Sequence, residues 1–181
     1  MRLFSEKEKQ IINILLTGVE NSDTYLPINA YNDIFYGKNV EFVPSKMQLV
    51  FYIPSGNTID HHRILNIYYE ILEISLLLDY LKKEGLLYQI SMPSSNPLST
   101  IGGFNSNGLQ GVTMAIDPNI GQILLDSISN PIYVSQTLKD LADNNFLSLE
   151  GRALKEAKIQ TRLSLLAVVL SILSVILNII L

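Results

Sequence analysis

The chain is expected to fold as a small α+β body followed by a single C-terminal transmembrane helix, and three observations lead there. Leu163 to Leu181 (LSLLAVVLSILSVILNIIL) runs for nineteen residues without a charge, a glycine or a proline. As a helix it would be about 28 Å long, close to the hydrocarbon thickness of a bilayer. Ahead of it, stretches with apolar residues at helical spacing alternate with short β-branched and aromatic runs bounded by proline. Charge is also unevenly spread. Arg152, Lys155, Lys158 and Arg162 stand against Glu150 and Glu156 just before the apolar stretch, which leaves −6 of the chain's total of −4 to residues 1–149. The expected division is a cytosolic α+β domain over 1–148, a basic juxtamembrane helix over 149–162 and a membrane helix over 163–181.

Element by element, Ser5-Glu6-Lys7-Glu8 is a capping box, a serine N-cap with a glutamate three residues on. It predicts a helix over about Glu6 to Leu16 that buries Ile11, Ile12, Leu15 and Leu16 and ends at Gly18. The Asn-, Asp-, Tyr- and Gly-rich stretch from Glu20 to Lys38 predicts a loop with one short helix at Ile28–Phe35. Val40–Val43 and Met47–Ile53 predict strands, delimited by Pro44 and Pro54. A long helix is expected from about Asp60. Its apolar face holds Ile64, Leu65, Ile67, Tyr68, Ile71, Leu72, Ile74, Ser75, Leu78 and Leu81, and Lys82-Lys83-Glu84-Gly85 closes it with a basic last turn and a C′ glycine. Leu86–Ser91 predicts a strand, Pro93–Gly111 a long polar loop or hairpin tip, Val112–Ile116 a strand and Asp117-Pro118-Asn119 a turn. Gly121–Ser127 fits a strand or a short helix. Ser135–Asn144 predicts an amphipathic helix, and Gly151 a hinge before the membrane helix.

Two features bear on topology and assembly. Lysines and arginines close to a span favour its cytoplasmic side, so the four juxtamembrane basic residues predict a tail-anchored protein in a cytoplasmic or inner membrane, its N-terminal domain in the cytoplasm. The early apolar run Ile11–Leu16 is too short, and too closely preceded by charges, for a signal peptide. Within the span the small and polar residues Ser164, Ala167, Ser171, Ser174 and Asn178 step by three and four, and Ala157 and Gln160 extend the row backwards. Helices in lipid associate through small-residue contacts and hydrogen bonds between them, so this row predicts self-association or pairing with another membrane helix. Serines whose hydroxyls bond back to their own helix are the alternative meaning of the same row.

Composition narrows the chemistry. The chain has no cysteine, so disulfides, thiolate catalysis and cysteine-based metal sites are excluded. An acidic body disfavours nonspecific nucleic-acid binding, which needs a basic face, and suits a protein partner instead. Both histidines lie in Asp60-His61-His62, but neighbours on a helix diverge by about 100° and do not grip one ion. Asp60 fits a helix start, and Glu70 with Glu73 an acidic helix face rather than a carboxylate pair. Ser99 to Gly108 is rich in glycine and asparagine but matches no phosphate-binding motif. Tyr68, Tyr69, Tyr80 and Tyr88 are expected in or at the edge of the core. No catalytic constellation, metal site or cofactor motif is legible.

The capped first helix, the long helix ending YLKKEGLLYQI, and a strand running through a loop to a second strand resemble a winged helix-turn-helix over residues 58–116. The segment LKDLADNNFLSLEGRALKEA is similar to the glycine-containing turn and helix that close many such domains. The resemblance implies a winged-helix-like body, and in that family the long helix reads DNA through basic residues. Here that helix shows Glu70, Glu73, Asp79 and Glu84 against Arg63, Lys82 and Lys83, which turns the expectation towards protein contacts. Two functions follow as expectations. One is a membrane-anchored interaction or sensor module that self-associates through its membrane helix, with bilayer perturbation by the assembled helices as a variant. The alternative is a membrane-tethered winged-helix regulator that binds DNA.

Overall fold

The computed structural model describes residues 2–22, 24–54, 59–91, 100–102, 109–147 and 149–180, with the side chains of 100, 149, 150, 152, 169 and 171–180 outside that description. Over these residues the protein is α+β, with six α-helices and two small antiparallel sheets.

Helix α1 spans Glu6–Asn21, and both halves of its capping box form. It runs past Gly18, which the sequence marks as its end. Gly18 is instead a point of close approach, since a methyl group there would fall inside the Tyr25 ring. Helix α2 (Ile28–Ile34) follows, then strand β1 (Val40–Val43), a short 3-10 turn at Pro44–Lys46, and strand β2 (Gln48–Pro54). The two strands form a hairpin in which Val43 faces Gln48, and Met47 takes a left-handed φ of 49° at the turn.

Helix α3 (His61–Lys83) is N-capped by Asp60, whose carboxylate accepts from the Arg63 N–H at 3.0 Å. Beyond its C-terminus Gly85 supplies the positive φ of 66° that the turn requires. Ile64, Ile67, Ile71, Ile74, Leu78 and Leu81 form the buried stripe at three- and four-residue steps, joined by Ser75 and Leu77. Leu65 lies outside the stripe and is exposed. Tyr69 (57% exposed) and Tyr88 (58%) also point outwards, contrary to their expected core positions, while Tyr68 and Tyr80 are half-buried.

Strand β3 (Leu87–Gln89) follows, then β4 (Thr100–Ile101) and β5 (Leu109–Ala115). Pro93 to Ser99 and Gly103 to Gly108, which the sequence assigns to a polar loop, lie outside the described residues. Asp117-Pro118-Asn119 is the start of helix α4 (Pro118–Ser129) and not a free turn, with Asp117 as N-cap and proline at the first helical position. The same helix settles Gly121–Ser127 as helical. Strand β6 (Ile132–Val134) has no counterpart among the expected elements, because three residues after a proline are too few to show a period. Helix α5 (Gln136–Asp143), capped by Ser135, and helix α6 (Leu149–Ile180) complete the chain. Gly151 lies inside α6 and does not interrupt it.

The main sheet has the order β4-β1-β2-β5, and β3 pairs with β6 as a separate ribbon. Val40, Phe42, Leu49 and Phe51 turn to the core, where they join the α3 stripe and the buried faces of α1, α2, α4 and α5. A wing in the sense of the winged-helix family would join β3 to the strand near Val112. Those strands pair elsewhere: Leu87 to Gln89 lie opposite Val134 to Ile132, and β5 runs along β2 from Gln48↔Ala115 to Pro54↔Leu109. A polar link crosses this core. Tyr31 of α2 is fully buried, with its hydroxyl 2.9 Å from that of Ser75 on α3.

Candidate functional site

Two regions of the surface stand out, the helix α6 and a cleft at the start of α3. In α6 every described side chain from Ala153 to Leu170 is exposed. Leu163, Leu165, Leu166, Val168 and Leu170 are each 58–69% exposed, and at 100° per residue they lie on more than one side of the helix. Lys155, Lys158 and Arg162 are exposed in the turns before them. Ala157, Gln160, Ser164 and Ala167 fall on one row of the continuous helix, so the structure brings that part of the predicted stripe together. The Thr161 hydroxyl, next to the row, donates to the Ala157 carbonyl at 2.8 Å, the back-bonding typical of hydroxyls in helices. Ser171, Ser174, Asn178 and the Arg152 side chain lie outside the described residues. Among the described residues no helix is long and apolar enough to cross a membrane.

The cleft of about 240 Å³ opens where the first turns of α3 meet β2 and the turn before β1. Phe51, Ile64 and Ile67 make its apolar floor, and Lys38, Asn39, Asp60 and Arg63 its polar rim. A shallower depression continues along α3 past His62, Asn66 and Glu70. Lys38 is held in place by Glu70 at 3.3 Å and lies over the Phe35 ring, 5.2 Å from its centroid. Asp60 is engaged by the backbone of Arg63, and the Arg63 side chain has no carboxylate partner among the described residues. The arrangement offers recognition of a small amphiphilic group, with cations above an apolar base. His61 and His62 are exposed on successive α3 positions, and among the described residues no three His, Asp or Glu side chains are grouped to hold a metal ion.

Glu70 and Glu73 are structural rather than merely solvated. Lys7 reaches Glu73 at 2.7 Å and Glu70 at 3.8 Å, which ties α1 to the outer face of α3. At the N-terminus Arg2 pairs with Glu8, and that hydrogen bond, with the Ser5 N–H, holds the Glu8 carboxyl below its ordinary range against the opposing effect of burial. On the outer face of the main sheet the Tyr52 hydroxyl donates to Glu41 at 2.7 Å, and that bond, chiefly, raises the tyrosine above its ordinary value.

Lys38 and Asn39, in the turn before β1, and Phe51, in β2, escaped the sequence reading as site residues because those two local elements show no relation in sequence. Only the packing of α3 on β2 gathers them beside Asp60 and Arg63. Set against known proteins, the chain matches no family model, and no curated protein or solved structure is found similar to it.

Proposed function

We propose that the protein is a membrane-anchored interaction or sensor module, with α6 as its anchor and the α+β body on the cytoplasmic side. The observation that supports this reading is the exposure of α6. The leucines and valine described between Leu163 and Leu170 are exposed on more than one side of the helix, and a helix apolar on every side needs lipid or other helices around it. Residues 171–181 continue the same composition in sequence. The basic residues of the preceding turns suit the cytoplasmic headgroup layer. In this reading the row from Ala157 through Ser164 and Ala167 to Ser171, Ser174 and Asn178 packs against a second copy or another membrane helix. The acidic body, with its cleft, meets a protein partner or a small ligand.

The test is flotation of the full chain, synthesised in the presence of vesicles, followed by carbonate extraction. The wild-type chain is expected to float and to resist extraction. Leu170→Arg adds an insertion cost of about 2.5–3.5 kcal/mol near a helix centre and, combined with Leu166→Arg, is expected to leave the protein unfloated. A wild-type chain that stays with the soluble fraction, or an arginine variant that inserts equally well, would refute the anchor.

A further inference from the structure

The main sheet has two edges, and they are not alike. At β4 the edge is two residues long and closed by α2. The Gly102 carbonyl accepts from the Gly37 N–H at 2.8 Å, and its own N–H donates to Asn32 at 2.9 Å. At β5 the edge is seven residues long, Leu-Gln-Gly-Val-Thr-Met-Ala, without a charge or a proline. Edge strands left in this state are templates for pairing, and proteins usually blunt them with lysine, proline or a bulge.

The register shows which backbone groups point away. Ile116 donates to the Met47 carbonyl at 3.1 Å, so the alternate pairs Met114–Leu49, Val112–Phe51 and Gln110–Ile53 exchange hydrogen bonds with β2. Leu109, Gly111, Thr113 and Ala115 therefore direct their N–H and C=O groups outwards. Only the Ala115 carbonyl has a partner among the described residues, the Tyr68 hydroxyl at 3.5 Å.

We infer that β5 is a homotypic docking edge, at which two copies of this chain pair antiparallel about a two-fold axis through Val112 and join their sheets. The occupant is a second copy for three reasons. A head-to-tail stack would need the β4 edge, which is closed, so a sheet that extends only at β5 closes as an isologous dimer. Centring on Val112 matches the strand to itself over its full length: Gly111 faces Thr113 of the other copy, Gln110 faces Met114, Leu109 faces Ala115. No pair sets like charges opposite each other, because the strand carries none. The contact also covers Val112 and Met114, which are only partly buried at the core margin. Seven paired residues alone make an interface smaller than the roughly 1,000 Å² of a stable dimer. Its strength therefore rests on the anchoring proposed above, which holds copies in one membrane at raised effective concentration.

The chain lacks cysteine, so single cysteines report on the pairing directly. At the axis Val112 occupies a non-hydrogen-bonded pair with itself, with Cα atoms about 4.5 Å apart, inside the range a disulfide spans. The experiment oxidises full-length single-cysteine variants in vesicles and scores covalent dimer, with flotation of the same samples as a separate readout for the anchor. Val112→Cys is expected to cross-link at least about tenfold more than Leu109→Cys or Ala115→Cys, whose self-distances across the axis are near 20 Å at about 3.4 Å per residue. A mixture of Leu109→Cys and Ala115→Cys is expected to cross-link to each other. Adding Thr113→Pro, at a position whose N–H faces outwards and which an edge strand tolerates, is expected to abolish the Val112→Cys product, and Thr113→Lys to do the same. In samples that float, equal cross-linking at all three positions, none at Val112→Cys, or no effect of either Thr113 change would overturn the pairing; samples that do not float overturn the anchor, and with it the effective concentration that the pairing needs.

Discussion

The buried hydroxyl link between α2 and α3 allows a sharp prediction. Tyr31 is fully buried, and its hydroxyl lies 2.9 Å from that of Ser75. Ser75 also bonds back to its own helix, to the Ile71 carbonyl at 2.8 Å. Tyr31→Phe therefore removes one hydrogen-bonding group without stranding another, because Ser75 keeps the Ile71 carbonyl as acceptor. The cost is then the net value of a hydrogen bond, about 1 kcal/mol, rather than the larger penalty of an unsatisfied buried group. For a chain of this size that lowers Tm by about 2–4 °C. Near-UV circular dichroism in mild detergent is the suitable assay. The chain has no tryptophan and nine tyrosines, so the signal follows the packed body and not the helix content of α6. Ser75→Ala and the double variant complete a cycle, whose expected coupling is about 0.5–1.5 kcal/mol. A Tyr31→Phe variant as stable as the parent, one that costs more than about 3 kcal/mol, or a cycle that closes additively would refute the reasoning from two hydroxyls and one helix carbonyl.

Other expectations follow from single contacts. Gly18→Ala improves helix propensity by about 1 kcal/mol but drives a methyl into the Tyr25 ring. Overpacking costs about 1–3 kcal/mol, so the melt is expected to show net destabilisation. Burial, with Asp33 nearby, pushes the Tyr25 hydroxyl up to about 12. The unfolded chain releases that proton near pH 10, so this contribution to stability is intact below about pH 10 and is lost as pH rises through about 12; Tyr25→Phe flattens that part of the stability–pH curve. Glu70→Gln weakens the partly exposed pairs with Lys38 and Lys7, at a cost of up to about 1 kcal/mol that shrinks in high salt.

Much of the fold was legible because it is written in local rules. Ser5 and Glu8 mark the start of α1, Asp60 the start of α3, and Gly85 the end of α3, since a cap needs only residues within one turn of it. The same rules misread Gly18, whose role is contact with Tyr25, seven residues on and outside the helix, and not chain termination. They also misread Asp117-Pro118, a pair that serves turns and helix starts alike until the following residues are packed. The exposure of Tyr69 and Tyr88 could not be foreseen from their type, because an amphipathic ring suits either side of a core boundary.

Pairing was the part that sequence left open. Nothing in Leu87–Gln89 names Ile132–Val134 as its partner, and nothing in Leu109–Ala115 names Gln48–Pro54, because strand partners are chosen by shared burial over distances of tens of residues. The cleft was hidden for the same reason: Lys38, Phe51 and Arg63 belong to three elements and meet only when α3 lies on β2. By itself the sequence determined the starts of α1, α3 and α5, the apolar α6 and the acid–base asymmetry along the chain, all of which depend on composition and spacing within a few turns. Only the tertiary structure decided which strand edges are closed and which is open, because an edge is defined by the neighbour it lacks.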